Sequence, residues 1–372
     1  MPTELNLRQD EARAYNRARR RIGYASTAAA LAGLVAIVAG AGRLGWLGCL
    51  AALGLGLPAL EFPFAVAGHR LSRRYGLSRQ RPGAWLADRA KGLAVGLVLG
   101  GAVALGLVLI QRGAGDWWPL PAWAAAVAFA AAMAALFPVL LLPIFLRSER
   151  LAEGRLAEAL WRTAADAGVR VRELRLLHMG EKTAAANAMV AGLGPTVRIY
   201  VSDTLAAPEE GESAGEALGR SRVVLAHELG HHRSRDVWRL LAVSALSTAV
   251  GVAGAWAAVA WLAPDGAGRV TALPAAALGF SLASAAAAPL VNAYGRGRER
   301  AADRYAVALT GEGEAFAVAL ERLVARNLGE LEPPRLHHML TGSHPTPRER
   351  IDAARSASSR TPPGSFGLAG LH

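Results

Sequence analysis

Long apolar segments nearly free of charge alternate with short charged segments over most of this chain. A helix needs about 20 mostly apolar residues to cross the hydrocarbon core of a bilayer, and six segments approach or exceed that length. The pattern therefore predicts a mainly α-helical integral membrane protein with about six transmembrane helices. The predicted spans are residues 24–41, 44–68, 92–110, 122–146, 240–262 and 272–290.

Two stretches outside these spans have the composition of a globular domain. Between residues 147 and 239, helical and strand-like patterns follow one another, which predicts a soluble α+β fold. A last helix is expected after the final span, and the Pro- and Gly-rich tail from residue 361 is expected to be disordered. The predicted elements are helices at 156–167, 219–235 and 294–309, strands at 171–177, 184–190 and 196–201, and a turn at 192–195.

Composition and charge support the membrane assignment. Hydrophobic residues make up 53% of the 372-residue chain, and the mean hydropathy is +0.26. The net charge of +12 would suggest a nucleic-acid partner if the protein were soluble. No aromatic residues interleave with the arginines as they do in nucleic-acid-binding modules, so we expect a lipid bilayer and no nucleic acid as partner.

The cations occupy alternate loops, which is the positive-inside pattern. It predicts a multi-pass protein of the cell membrane with both termini, and the segment 147–239, in the cytoplasm. The basic residues before the first span are Arg8, Arg13, Arg17, Arg19, Arg20 and Arg21, and those after the second are Arg70, Arg73, Arg74, Arg79, Arg81, Arg89 and Lys91.

Two short motifs near the N-terminus have competing interpretations. The three arginines at 19–21, followed by an apolar run, also fit a twin-arginine signal peptide. That alternative stays open, and cleavage there would leave the orientation of the rest unchanged. Gly40, Gly42 and Gly45 match a dinucleotide-binding fingerprint, but they lie between two spans without a preceding strand, so we interpret them as a tight interhelical connection.

The sequence His227-Glu228-Leu229-Gly230-His231 is the strongest chemical signal. Histidines four residues apart on a helix project from one face, so both imidazoles can reach one metal ion. Glu228 lies beside them, where a carboxylate can take a proton from a water molecule. The single cysteine, Cys49, excludes an intrachain thiolate site, so further ligands must be histidines or carboxylates. The alternative is an amphipathic helix with surface histidines.

A zinc site built on two histidines needs at least one further protein ligand. Glu299, after the final span, is the strongest candidate, and Asp303 lies one turn along the same helical face. Asp303 could accept the second N–H of a zinc-binding histidine and fix its tautomer. The alternative for this pair is a solvated surface with ion pairs to the neighbouring arginines. These arginines are Arg296, Arg298, Arg300 and Arg304.

The HExxH segment and the segment Arg296-Gly297-Arg298-Glu299-Arg300-Ala301-Ala302-Asp303 resemble the two halves of the zinc site of type I CAAX prenyl proteases. These are integral-membrane zinc metalloproteases, and the bacterial heat-shock membrane proteases share both halves. Three further segments are similar to the same family: 75–91 to a loop before a span, 187–205 to a substrate-facing edge strand, and 344–350 to a C-terminal histidine and arginine.

The resemblance implies a cytoplasmic zincin-like (gluzincin) α+β catalytic domain that carries one Zn²⁺ per chain. Residue by residue, it implies that His227, His231 and Glu299 are the zinc ligands. It further implies that Glu228 is the general base, that Asp303 supports a ligand, that His344 steadies the oxyanion and that Arg350 holds the active-site arrangement. Ala186, Asn187 and Ala188 are implied to bind the peptide. The alternative for His344 is a turn histidine before Pro345 without a role in catalysis. The alternative for the segment 187–205 is a purely structural hairpin.

We therefore expect a zinc metalloendopeptidase that acts on a peptide or protein substrate. A quality-control protease of the heat-shock type and a catalytically inactive scaffold with the same fold remain alternatives. An ion transporter is a weaker one, because the spans offer little polar chemistry beyond Glu61. The expected organisation is a four-span membrane domain (1–146), a first catalytic part (147–239), a transmembrane hairpin (240–290), a second catalytic part (291–360) and a tail (361–372).

Overall fold

The computed structural model describes residues 8–192, 197–263 and 266–360, with side chains as far as residue 357. The predicted tail, and most of the predicted turn at 192–195, lie outside these residues. In the described part of the chain, five helical stretches are long and apolar enough to cross a membrane, which confirms the membrane fold. They are Gln9–Arg74, Pro82–Trp117, Pro119–Phe145, Asp236–Leu262 and Val270–Thr310.

In the described residues, helices dominate the fold and the strands form one small mixed sheet. The helices are α1 Gln9–Ala51, α2 Leu57–Arg74, α3 Pro82–Ala114, α4 Pro119–Leu136, α5 Leu142–Phe145, α6 Arg155–Asp166, α7 Asp203–Ala206, α8 Ala214–Arg233, α9 Asp236–Leu262, α10 Leu273–Thr310, α11 Gly313–Arg326, α12 Arg335–Thr341 and α13 Pro347–Arg360. The strands are β1 Ser148–Arg150, β2 Glu173–Leu177, β3 Ala188–Ala191 and β4 Arg198–Ser202.

The first long stretch contains two of the predicted spans, because its helix breaks at Gly45. This residue has φ 64° and ψ −174°, a conformation that residues with a Cβ rarely adopt. Beyond the break the chain turns back, and the Oη of Tyr15 lies 3.2 Å from the Oγ of Ser72. The predicted interhelical connection is therefore a helical hairpin with its turn at Gly45.

The last two membrane helices, α9 and α10, form a second hairpin with a very close crossing. A Cβ on Gly279 would lie 2.1 Å from the carbonyl oxygen of Gly254 and 2.5 Å from the Cβ of Ala258. Small residues allow such close contact between helices in a membrane. The predicted span 272–290 and the predicted helix 294–309 prove to be parts of the single helix α10, so a membrane helix extends directly into the soluble domain.

The four described strands lie in the order β1-β2-β4-β3. β2 and β4 are parallel, whereas β1 and β3 pair antiparallel with their neighbours. Strand β3 therefore forms an edge of the sheet, as predicted, but it starts at Ala188 rather than at residue 184. The backbone before it is held by other partners: the N–H of Ala184 donates to the carbonyl of Leu77, and that of Asn187 donates to the Oγ of Ser202.

Helix α8, which carries the HExxH motif, is packed between two hydrophobic cores. Leu225 and Leu229 face a core shared with the sheet and α6. Val223 and Ala226 face a second core formed with α10, α11 and α13. The helix begins five residues earlier than predicted, because Ser213 and Glu216 form a reciprocal capping box. Burial on both sides gives the motif a fixed position.

Candidate metal centre

Two imidazoles and a carboxylate converge where α8 passes the soluble end of α10. The Nε2 atoms of His227 and His231 are 3.3 Å apart. Oxygens of Glu299 lie 3.4 Å from the Nε2 of His227 and 3.3 Å from the Nε2 of His231. The three candidate ligand atoms lie within 4.8 Å of one another. One metal ion could therefore bind to all three at ordinary bond lengths.

A small residue within the motif allows the two helices to approach this closely. A Cβ on Gly230 would lie 3.1 Å from the Cα of Ala302 and 3.2 Å from the Cδ1 of Tyr305. Both contacts would be tighter than ordinary van der Waals distance. Gly230 thus lets the backbone of α8 lie against α10, and this approach brings Glu299 opposite the two histidines.

A carboxylate supports each imidazole on the side away from the shared centre. The Nδ1 of His227 lies 2.9 Å from Asp303, and the Nδ1 of His231 lies 2.9 Å from Asp236. These contacts favour a proton on Nδ1 and leave the lone pair of Nε2 for a metal. Burial lowers the pKa of His227, but the contacts with Asp303 and Glu299 outweigh it and raise this pKa to about 9.

Two arginines hold the supporting carboxylates in place. The guanidinium of Arg350 donates two hydrogen bonds to Asp303, at 2.8 Å and 2.7 Å. The Nε of Arg298 donates to Asp236 at 2.7 Å. Each candidate histidine ligand is therefore the end of an arginine–carboxylate–imidazole chain of contacts, a geometry that resists rotation of the ring.

Asp236 and Arg298 are functional candidates that the sequence reasoning missed. In the sequence, Arg298 resembles the other arginines of a solvated surface, whereas in the structure it extends from α10 to Asp236. Asp236 has no sequence signal, because it lies at the start of a membrane helix, five residues after His231. The left-handed backbone at Arg235, with φ 53°, turns the chain sharply there and directs the first turn of α9 back to the imidazole.

Glu228 lies beside the centre with a carboxylate free for chemistry. Within the described parts of the chain it makes no hydrogen bond or ion pair, although the charges of His227, His231 and Arg350 act on it. Burial raises the pKa of Glu228 above its ordinary value. A carboxylate in this state holds a proton more strongly than one in water, which suits a group that must both accept and release one.

The structure also brings His344 to the centre, from the loop before α13. Its Nδ1 lies 2.8 Å from Glu299, and its side chain is 58% exposed. The ring therefore lies on the open side of the centre, where a bound molecule could reach it. Pro345, beside it, is buried and fixes this loop against the domain.

The candidate peptide-binding residues lie at the start of the edge strand. Ala186 and Ala188 are buried, whereas Asn187 is exposed. Strand β3 packs against α8, the helix that carries the motif. Among the described strands only β4 pairs with β3, which leaves main-chain groups of the other edge available to a peptide.

Sequence comparison identifies the family to which this arrangement belongs. The sequence model of Peptidase family M48 matches residues 150–358, more than half of the chain. The chain belongs to peptidase family M48. A second sequence model, described as the CAAX prenyl protease N-terminal region with five membrane helices, matches residues 47–147 of this M48 protein. The protein is thus a multi-pass membrane protein of a metalloprotease family, similar to CAAX prenyl proteases.

Individual relatives agree with this assignment. A Bacillus subtilis protein named as the uncharacterized metalloprotease YhfN is 28% identical over 309 residues, which cover 79% of this chain and 70% of that protein. A CAAX prenyl protease 1 homolog from Oryza sativa is 24% identical over 188 residues, 50% of this chain and only 43% of the relative. The crystal structure of S. mikatae Ste24p has a TM-score of 0.79, at 20% identity, and covers 92% of this chain and 88% of that one. This last match shows a shared fold.

The donor set of the M48 protein fits the metal that a metalloprotease family implies. Nitrogen and oxygen donors converge from two helices, and both imidazoles have their outer nitrogen against a carboxylate. Divalent metals with a preference for imidazole and carboxylate suit such a site. His227, His231 and Glu299 would hold the ion.

Proposed function

We propose that this protein is a membrane-embedded zinc endopeptidase. The observation that carries the proposal is that His227, His231 and Glu299 converge beside Glu228, whose carboxylate has no partner among the described residues. Three protein ligands with a fourth position open are typical of catalytic zinc sites, whereas structural sites are closed by four. Cys49, the only cysteine, lies in the membrane hairpin, so no thiolate competes for the ion.

Each residue around the centre has a distinct role in the proposed reaction. Zinc bound here would lower the pKa of a water molecule and polarise the peptide carbonyl. Glu228 takes a proton from the attacking water and delivers it to the leaving amine. His344, exposed on the open side, donates a hydrogen bond to the oxyanion as the carbonyl becomes tetrahedral. Asp303 and Arg350 act by holding His227.

The peptide would lie in extended form along the free edge of β3. Main-chain hydrogen bonds from such an edge serve a peptide of any sequence. Ala186, Asn187 and Ala188 lie at the end of the strand next to α8, where the scissile bond must approach the metal. The two soluble parts, 147–239 and 291–360, then act as one catalytic domain joined through the membrane hairpin 240–290.

Contacts between the two ends of the chain support a cytoplasmic centre. Arg20, in the basic segment before the first span, donates to Glu330 of the catalytic domain at 2.7 Å. Asn16 donates to the carbonyl of Leu328 at 2.6 Å. The basic N-terminal segment and the catalytic domain therefore share one side of the membrane, and the positive-inside pattern favours the cytoplasm for that side.

The substitution Glu228→Gln tests the proposal. It removes the base while leaving the three ligands in place, so we expect the purified variant to bind about one zinc per chain, as wild type does, but to lose peptide cleavage by at least about 100-fold, the lower range for general acid–base catalysis. Zinc content is measured by elemental analysis and cleavage with quenched fluorescent peptides. The matched control is Glu158→Gln, on the exposed face of α6.

Two results would contradict the proposal. If Glu228→Gln cleaved peptides as fast as wild type, Glu228 could not be the base. If wild type bound no zinc and gained no activity when zinc was added, an inactive scaffold with the same fold would be the better explanation.

A further inference from the structure

A cavity of about 570 Å³ opens directly beside the candidate centre. His344 and Arg350, both in contact with centre residues, form part of its wall. Arg19 on α1 and His337 and His338 on α12 also line it. A substrate that reaches His344 would therefore also reach the side chains of this cavity.

Contacts between α1 and the catalytic domain fix the position of Arg19. Its neighbour Arg20 pairs with Glu330 at 2.7 Å, in a contact that is nearly buried. One turn further, the Oη of Tyr24 lies 2.9 Å from the Nδ1 of His337. Arg19 directly precedes these two contacts on the same helix and is exposed, and within the described residues it forms no ion pair. Its charge is available to a ligand.

Among the residues that the structure describes, the ionisable side chains lining this cavity are all basic. Arg19, Arg350 and three histidines contribute, and no described aspartate or glutamate lines it. Arg350 is neutralised by Asp303, whereas Arg19 has no such partner in the described part of the chain. The cavity thus presents uncompensated positive charge close to the reacting centre.

A second cavity, of about 690 Å³, shares Pro333 and His338 with the first. Two glutamates line it, and each already contacts an arginine: Glu332 with Arg348 at 3.3 Å and Glu349 with Arg300 at 3.5 Å. Two further arginines, Arg296 and Arg335, also line this cavity. We call the two cavities together the basic groove. Its six arginines outnumber its two glutamates, so the positive charge continues away from the centre.

We propose that the basic groove binds an acidic side chain of the substrate, aspartate or glutamate, close to the scissile bond. The inference rests on the proposed protease function for its biological meaning. Physically it rests on charge complementarity, because a carboxylate placed beside Arg19, which has no ion pair within the described residues, is favoured over a neutral or cationic group. Substrates with acidic residues near the cleavage site would then be selected over neutral ones.

Paired peptides test the proposal by binding, independently of cleavage. Each pair is fluorescently labelled, amidated at the C-terminus and different only in Glu or Gln at one position, which is moved along the sequence. Binding to the full-length, zinc-loaded Glu228→Gln protein in detergent is measured by anisotropy. At one or two neighbouring positions we expect the Glu peptide to bind roughly fivefold more tightly, as for one partly exposed ion pair, with a smaller preference at high salt.

Arg19 provides the matched variants. Arg19→Gln should reduce the preference for Glu, and Arg19→Glu should abolish it, with binding of the Gln peptide unchanged. Arg17→Gln, on the same helix, exposed and outside the groove, is the control and should retain the full preference. Circular dichroism spectra verify that the variants are folded.

Other outcomes would overturn the inference. Equal binding of the paired peptides at every position, absence of binding by both, or an equal preference in Arg19→Glu and wild type would each do so. One additional pair of Gln peptides, identical except for a free or an amidated C-terminus, tests chain ends: a preference found only in this pair would assign the groove to a terminal carboxylate and overturn the inference. If the Glu preference were found but wild type cleaved none of these peptides, the groove would stand and the proposed protease function would fail.

Discussion

The substitution Asp236→Asn examines how the membrane hairpin supports the metal centre. Asp236 is the first residue of α9 and is buried. It uses one oxygen for the Nδ1 of His231, at 2.9 Å, and the other for the Nε of Arg298, at 2.7 Å. Both neighbours act as donors, and asparagine has only one acceptor oxygen. Its amide N–H₂ must then face a donor, so one of the two contacts breaks.

We expect the variant to fold but to bind the metal ion more weakly. Removing a carboxylate that orients a histidine ligand costs about 10- to 100-fold in metal affinity, which corresponds to roughly 1.4–2.7 kcal/mol. If the amide oxygen stays with His231, Arg298 loses its partner instead, and the cost of about 1–3 kcal/mol appears in the stability of the protein. In either case the loss arises from a single carboxylate, that of Asp236, which links α9 to α10.

The assay is competition for zinc between the detergent-purified protein and a chromophoric chelator, with thermal unfolding followed in parallel. Asp166→Asn, exposed at the end of α6, is the control and should match wild type in both measurements. A folded Asp236→Asn protein with wild-type zinc affinity and wild-type thermal stability would refute the reasoning, because it would show that neither contact of Asp236 matters.

Two further predictions concern protons and helix packing. The raised pKa of His227, about 9 from the protein groups alone, means that zinc must expel a proton at neutral pH. Zinc affinity should therefore rise by up to about tenfold per pH unit for this proton and level off above about pH 9, and competition titrations that show no dependence on pH would contradict this. Replacing Gly279 with Val should destabilise the α9–α10 hairpin by about 1–3 kcal/mol, because even its Cβ would overlap the backbone of Gly254. Gly101→Ala, in open space, is the control, and equal melting temperatures of the Val variant and wild type would argue against the close crossing.

Much of the site was predictable because its chemistry is local in sequence. Histidines four residues apart fall on one helical face whatever surrounds them, so His227 and His231 could be paired without a structure. Glu299 and Asp303 followed from the same helical spacing together with the family resemblance. The apolar segments were equally local signals, since their length alone predicts membrane helices.

Other features depended on contacts between residues distant in sequence. Asp236 belongs to no motif in the sequence, and nothing there distinguishes Arg298 from the other arginines around Glu299. Only the turn at Arg235 and the approach of α9 to α10 bring the two residues to His231. The strand predicted at 184–190 was shortened because the backbone before Ala188 bonds to Leu77 and Ser202 instead. In the same way, α8 starts before its predicted first residue because Ser213 caps the helix there.

The sequence by itself determined the ingredients of this protein: apolar segments long enough for membrane helices, and a candidate metal-binding motif, a candidate base and a candidate third ligand that each depend on one or two helical turns. Only the tertiary structure decided how they are combined. It made the last membrane helix continuous with the one that carries Glu299, placed Gly230 at the crossing, and brought Arg19 of the first helix to the same cavity as His344. Such placements arise from the packing of many side chains at once, and no local pattern records them.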